Sequence, residues 1–254
     1  MASLRERVMA GDQVLGAMVF EFFSPGLPQI MVQAGCQYLI YDMEHTGTGF
    51  ETLKTQAALC AGLPITPMAP VPRGEYHFLA RALDIGMQGL MIPMVESAEE
   101  AAEIAQACRY PPTGRRGAAF GFAHDGYTGG DPTGKMALAN HQTLVIAQSE
   151  TERGLENVDA IAATEGIDVL WVGHFDLANF LGIPGQFQSP IFLDAVQAVV
   201  AAARAHGKGL GFMPADVNWA AEYKGYGFNM LAVGTDHALL AQGVRSVLQT
   251  VENA

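Results

Sequence analysis

Leu144-Val145-Ile146-Ala147-Gln148-Ser149-Glu150 starts as a continuous apolar run and stops in a polar triplet. A run apolar on both faces suits a parallel strand buried on both sides, where polar side chains belong only at the point of emergence. The exit of this strand is therefore a candidate site. Val169-Leu170-Trp171-Val172-Gly173-His174-Phe175-Asp176 repeats the arrangement, with a second carboxylate just past its apolar run. Glu150 and Asp176, each at the exit of a buried strand, are candidates to share a hard divalent cation, which takes oxygen ligands. Gln148, two residues before Glu150, falls on the same strand face.

The same punctuation recurs on both sides of this pair. A short amphipathic helix over 4–10 precedes a strand at Val14–Phe20, and Ser24-Pro25 predicts the start of a helix. Tyr38-Leu39-Ile40-Tyr41 runs directly into Asp42-Met43-Glu44-His45, and a helix from Phe50 leads to the strand Ile65–Val71, ended by Pro72-Arg73. Its prolines make it an awkward strand, because proline cannot donate to a ladder. Residues 75–84 read as helix and Gly89–Val95 as the fourth strand, before a capping box at Ser97-Ala98-Glu99-Glu100. One helix is expected over 151–164. Another runs from Ser189-Pro190 to His206, with Gly207 as its stop signal. Gly209–Met213 and Met230–Gly234 complete the strands, Asp216 caps the helix between them, and the last helix covers 237–252. The Gly- and Arg-rich stretch from Thr113 to His141 is long enough to predict a lid or an interface segment.

Eight apolar strands alternating with helices predict an α/β protein, a single (β/α)8 TIM barrel spanning 1–254 as one domain. Asp42, His45, Arg73, Glu150 and Asp176 all follow their strands, which on a barrel gathers them at the face where such enzymes keep their chemistry.

Composition narrows the partners. A formal net charge of -12, with ten Arg, four Lys and no basic block, argues against nucleic acid or an anionic membrane. The charged N-terminus lacks the apolar core of a signal peptide and no run reaches membrane-span length, so a cytoplasmic protein is expected. Cys36, Cys60 and Cys108, odd in number and outside any C-x-x-C, predict free thiols instead of disulfides or a zinc site. A Schiff-base aldolase needs a lysine buried near the strand exits. Lys54 and Lys224 fall on predicted helices, Lys135 in the long loop and Lys208 at a strand entrance, so none is placed for it. Gly207-Lys208-Gly209-Leu210-Gly211 enters a strand where a dinucleotide fingerprint must leave one, so PLP and NAD chemistry are disfavoured.

Tyr41-Asp42-Met43-Glu44-His45, Pro72-Arg73, Arg109-Tyr110-Pro111-Pro112-Thr113-Gly114-Arg115-Arg116-Gly117, Gln148-Ser149-Glu150 and Gly173-His174-Phe175-Asp176-Leu177 together resemble the HpcH/HpaI aldolase family, in the family's order and over nearly the whole chain. The resemblance implies a class II, metal-dependent 2-oxo-acid aldolase and a hexamer, a trimer of dimers that exchange the C-terminal helix.

On that resemblance Glu150 and Asp176 match the metal ligands. Two carboxylates leave positions for water and a chelating 2-oxo acid, which suits Mg2+, Mn2+ or Co2+ better than tetrahedral zinc. His45 matches the base, with Asp42 expected to hold its imidazole and Glu44 to shape the pocket. Arg73 matches the cation on the keto or enolate oxygen. Asp84 matches an acid lent to a neighbouring subunit. Gln148 and the main-chain N–H groups at Gly173, His174 and Phe175, opening a helix, are expected to bind substrate. His174 departs from the small residue or proline expected there and bears on the choice of acceptor.

The activity implied is reversible cleavage of a 4-hydroxy-2-oxo acid to pyruvate, or hydroxypyruvate, and an aldehyde. The alternatives are a CoA-ester lyase or an oxaloacetate-decarboxylating C–C bond-forming enzyme of the same superfamily, and a non-catalytic ligand-binding barrel. The chain shows no Lys/Arg group to receive the phosphates of CoA.

Overall fold

A computed structural model describes residues 2–253. Eight parallel strands, β1 (Val14–Val19), β2 (Tyr38–Tyr41), β3 (Thr66–Pro70), β4 (Gly89–Ile92), β5 (Leu144–Ser149), β6 (Val169–Val172), β7 (Gly209–Phe212) and β8 (Met230–Thr235), close in sequence order into a barrel. β1 hydrogen-bonds β8, with a register shift between Gly16 and Met18.

Strand alternation sorts the side chains into two cores. Val14, Met18, Tyr38, Ile40, Met68, Met91, Leu144, Ile146, Val169, Trp171, Met230 and Ala232 fill the barrel interior. Leu39, Tyr41, Ala69, Leu90, Val145, Ala147, Leu170 and Phe212 face outward into the helical layer. Gly211 makes room inside: a Cβ there would lie 2.8 Å from Trp171 Cζ3, so the indole and a larger residue cannot coexist. Helix α1 (Leu4–Met9) plugs the strand-entrance mouth with Leu4 and Val8. Its start is a full capping box between Ser3 and Glu6.

The sequence expectations need correction at several places. The helix expected at Ser24-Pro25 is α2 (Leu27–Gln33), with Gly26 as N-cap and Pro28 in the first turn, the position where a proline's missing N–H is harmless. Pro67 and Pro70 do not prevent β3 from forming, and it pairs with both β2 and β4. Gln88 N still donates to Pro67 O at 2.9 Å and Thr66 N to Gln37 O at 3.0 Å. The capping box at Ser97 is only half formed: Ser97 Oγ accepts from Glu100 N, whereas the Glu100 carboxylate takes the N–H of Glu96. The helix expected over 151–164 breaks at Asn157 into Glu152–Glu156 and Val158–Ala163.

The segment from Thr113 to His141 is not a lid. It contains a short turn at Ala123–Asp125 and most of a helix, Pro132–Gln142. It lies beside the strand entrances, where Ala123, His124 and Tyr127 face Gly86, Met87 and Gln88 across a cavity of about 380 Å3. A lysine clamp ties the segment together internally, Lys135 Nζ donating to Asp125 Oδ2 at 2.6 Å and to Thr128 O, and Asn140 anchors it by pairing with the main chain of Tyr110. At the same end Asp168, 1% exposed, takes hydrogen bonds from Arg5 at 2.9 Å and from buried Arg109 at 3.1 Å.

The final helix (Asp236–Glu252) buries only Asp236. Leu240, Val244, Val247, Leu248 and Val251 form an exposed apolar stripe, while Leu15 and Val233 on β1 and β8 are also exposed. Among the described residues no helix is long and apolar enough to cross a membrane.

Candidate active site

The strand exits open on a cavity of about 440 Å3, lined by Asp42, Glu44, His45, Gln148, Glu150, Gly173, His174, Phe175 and Asp176, with Met18, Phe20, Met91, Trp171, Met213 and Thr235 as its apolar and hydroxyl-bearing walls. Leu144, Ile146 and Gln148 share the inward parity of β5, and Glu150 follows in step as the strand ends. Thus two acids distant in sequence reach one space by different routes: Glu150 continues the inward row of β5, while Asp176 is brought there by the first turn of the helix that follows β6.

Glu150 is 2% exposed and tightly held. Its Oε1 accepts from Met94 N at 2.8 Å and its Oε2 from Gln148 Nε2 at 2.7 Å. Met94 sits at φ 50°, the left-handed region that costs a side-chain-bearing residue about 1 kcal/mol or more, and this turns its N–H toward the carboxylate. Gly173 packs so closely on Glu150 that an added Cβ would strike Oε2 and lie 2.9 Å from the Glu150 Cβ.

Neither acid is used as a helix cap. Thr151 Oγ1 caps the helix after Glu150, accepting from Gly154 N at 2.9 Å. Asp176 lies in the first turn of the helix His174–Phe180, whose N-cap is Gly173 and which has no side-chain cap. Burial raises the Glu150 carboxyl to about 7 against the pull of its two hydrogen bonds, with Glu44 and Asp176 pushing the same way. Glu44 also stands at about 7, through burial first and then Asp42 and Asp176. Four carboxylates therefore crowd a cavity that no lysine or arginine lines among the described residues.

The arrangement of His45 differs from expectation. Asp42 does not hold the imidazole: its Oδ2 accepts the main-chain N–H of His45 at 2.8 Å, and Oδ1 is buried without a partner. The nearest carboxylate to the ring is Glu44, 3.9 Å from Nε2. The reason is local. β2 ends at Tyr41, so Asp42–His45 is a turn in which the Asp side chain caps a backbone donor, a habit of Asp in turns, and strand alternation no longer separates Glu44 from its neighbours.

Arg73 is exposed just past β3 and is outside the cavity lining. Asp84 lies at the far end of its helix (Tyr76–Asp84), toward the strand entrances, and pairs with buried Arg116 at 2.6 Å, away from its own chain's cavity. His174 is boxed by Phe175, Phe187, Phe212 and Trp219, with ring centroids 4.5 to 5.3 Å away, and burial lowers its pKa to about 4. Sequence reasoning missed the Met94 N–H and the wall residues Phe20, Met213 and Thr235. The wall residues also sit at strand exits, a signal that was present. Met94 gave none, because a left-handed methionine has no sequence mark. Asp236 likewise follows a strand, but its carboxylate accepts the N–H groups of Phe20, Glu21, Phe22 and His237 and so braces the β1 exit.

Comparison with known proteins agrees with this architecture. The chain is 33% identical over 246 residues to the hydroxypyruvate/pyruvate aldolase of Roseovarius nubinhibens, covering 97% of this chain and 95% of that one. It is 37% identical over 228 residues to the 5-keto-4-deoxy-D-glucarate aldolase of Salmonella paratyphi C, covering 90% and 88%. The crystal structure of an HpcH/HpaI aldolase from Desulfitobacterium hafniense DCB-2 superposes with a TM-score of 0.93 at 29% identity, over 100% of this chain and 98% of that one. Since residues 18–243 also match the family description HpcH/HpaI aldolase/citrate lyase, the chain belongs to that family and is a carbon–carbon lyase of the aldolase type.

Proposed function

We propose that the protein cleaves a 4-hydroxy-2-oxo acid reversibly to pyruvate, or hydroxypyruvate, and an aldehyde, with a divalent cation held by Glu150 and Asp176. The observation that carries this reading is the set of four carboxylates lining one cavity without a lining lysine or arginine. The donor set fits such an ion: it is all oxygen, Glu150 is preoriented by two hydrogen bonds, and burial with like-charge neighbours leaves its carboxyl poised near 7 for want of a counter-charge. Two protein carboxylates would leave positions for water and substrate; among the described residues no three His, Cys, Asp or Glu side chains form a ready-made metal cage.

When bound, Mg2+, Mn2+ or Co2+ would draw electron density from the keto group and make the C3 protons more acidic. The remaining work falls to the chain. In cleavage the 4-hydroxyl gives up its proton, the C3–C4 bond breaks with its electron pair passing to C3, the aldehyde leaves, and C3 takes up a proton to give pyruvate. His45, 60% exposed at the cavity rim, is the group assigned to move these protons. Glu44 is its nearest carboxylate, and Asp42 acts on the His45 backbone, which makes it a positioning residue. Arg73 is assigned to the oxyanion. Gln148 orients Glu150, and the uncapped N–H groups at Gly173, His174 and Phe175 are assigned to the substrate carboxylate.

Asp84 is assigned to the site of a neighbouring subunit. In support, the exposed stripe on the final helix and the uncovered outer face of β1 and β8 are mutually suited, as expected if two copies exchange this helix and build a hexamer. A bound CoA ester would find no lysine or arginine lining the cavity, so the aldolase reading is preferred to the CoA-ester lyase.

The test is pyruvate release from a racemic 4-hydroxy-2-oxo acid with and without a chelator. Activity is expected to vanish on chelation, return with added Mg2+ or Mn2+, and be lost in Glu150→Ala. Full activity in the stripped protein would overturn the proposal.

A further inference from the structure

We propose that Thr235, its hydroxyl oriented by His237, fixes the acceptor half of the substrate by accepting a hydrogen bond from a hydroxyl on the carbon beside the aldehyde. This rests on the aldolase reading above and deepens it by assigning two residues that discriminate between aldehydes.

Thr235 ends β8 and, among the described residues, is the one hydroxyl-bearing side chain that lines the strand-exit cavity. Its place in the chain predicts a different use for that hydroxyl. Thr235 is the N-cap of the final helix, with φ -95° and ψ 148°, where a threonine oxygen ordinarily accepts an N–H two or three residues on. It makes no such bond. Asp236 Oδ1 takes the His237 N–H instead, at 2.9 Å, so the Thr235 hydroxyl is not spent on holding the helix.

What the Thr235 oxygen meets is His237 Nε2, at 3.4 Å. The other ring nitrogen, Nδ1, stands 3.4 Å from Asp236 Oδ1, and the Phe20 ring packs edge-on against the imidazole with centroids 6.1 Å apart. Asp236 is a fixed negative charge, because Phe20, Glu21, Phe22 and His237 all donate main-chain N–H groups to it. A carboxylate facing Nδ1 keeps the proton of the neutral ring on that side. Nε2 then offers only a lone pair, and the Thr235 O–H must donate to it. With its one proton committed, the Thr235 oxygen presents only lone pairs to the cavity and accepts from whatever hydroxyl comes within reach.

The barrel puts this acceptor at the right part of the substrate. Its strands follow one another in order, so β8 lies two places round from β6 and three from β5, whose exits lead to Asp176 and Glu150. A 2-oxo acid held between those carboxylates has the wall of Met18, Phe20 and Thr235 for its far end. His45, past the end of β2, lies on the other side of β1. The 4-hydroxyl therefore falls to His45 and the hydroxyl one carbon further to Thr235.

The kcat/KM for adding pyruvate is to be measured with glycolaldehyde and with propanal, which differ by a hydroxyl in place of a methyl. The intrinsic reactivity of the two aldehydes cancels when their ratio is compared between protein variants. Thr235→Val keeps the shape and removes the hydroxyl, and is expected to lower the glycolaldehyde-to-propanal ratio about tenfold. Thr235→Ser restores the hydroxyl and should hold the ratio within about twofold of the unaltered protein. His237, with 54% of its side chain exposed, can be replaced without threatening the fold. His237→Phe keeps a ring against Phe20 but no nitrogen for the hydroxyl, and should lower the ratio about threefold. In a Thr235→Val background it should add nothing, a coupling that a merely structural role would not leave. An unmoved ratio in either single variant, a parallel loss on both aldehydes included, would overturn the inference. Deuterium exchange at the pyruvate methyl, followed by NMR without aldehyde, keeps the two levels apart. Exchange by the unaltered protein with an unmoved ratio in the variants removes the present inference alone, whereas no exchange removes the aldolase reading and this inference with it.

Discussion

Gly173→Ala is the smallest change that reaches the proposed ion without altering any ligand. Gly173 has φ -81° and ψ 83°, so alanine meets no left-handed penalty and the effect is purely steric. The new Cβ would strike Glu150 Oε2 and lie 2.9 Å from its Cβ and 3.2 Å from its Cδ, inside the usual carbon contact distance of about 3.5 Å. The carboxylate must then rotate away and give up the hydrogen bond from Met94 N, from Gln148 Nε2, or from both. Each involves a charged acceptor and is worth about 1.5 to 3 kcal/mol, so a loss of about 2 to 4 kcal/mol in metal-loaded stability is expected, together with roughly a ten- to hundredfold loss in metal affinity. Urea unfolding and calorimetric titration with Mn2+ measure the two. In a Glu150→Ala background the same glycine change should cost much less, because only the contact with the residue-150 Cβ persists. Wild-type Mn2+ affinity and an unfolding free energy within about 0.5 kcal/mol of wild type would refute the reasoning.

Three further outcomes follow from the same geometry. Glu44 and Glu150 have folded pKa values of about 7, above the ordinary 4.5, so the metal-free folded state holds protons that the unfolded chain has released. Its stability should therefore rise as pH falls from about 8 toward 4.5, by about 3 kcal/mol for one such group and less than twice that for the coupled pair. Buried His174, lowered to about 4, works the opposite way below about 6.5; subtracting denaturation curves taken with Mg2+ from those taken with chelator cancels it, and a flat difference would contradict the site. Asp236→Ala removes the acceptor for three N–H groups at Phe20, Glu21 and Phe22 and should cost about 3 to 5 kcal/mol in urea unfolding. Val244→Glu combined with Val247→Glu charges the exposed stripe of the final helix and should yield monomers in sedimentation velocity, with the barrel's circular dichroism retained.

Much of this protein could be read from local chemistry. The apolar runs of the eight strands, each broken by polar residues at one end, determined an α/β barrel and marked its reacting face, because a strand buried on both sides tolerates polar groups only where it emerges. The inward-facing placement of Gln148 and Glu150 followed from strand parity, whereas Asp176 reaches the cavity from the first turn of a helix. Tertiary structure decided the rest. Asp42 was paired with the wrong part of His45, since a turn that redirects a side chain to a backbone N–H has no periodicity to announce it. The 113–141 segment reads as a lid or an interface segment, and its place at the strand entrances removes the lid, because loop length carries no direction. The crowding that lifts Glu44 and Glu150 to about 7, the left-handed Met94 that serves Glu150, and the aromatic box around His174 all arise between residues far apart in the chain. Charge repulsion and ring packing act through space, and only barrel closure brings those groups within range of one another.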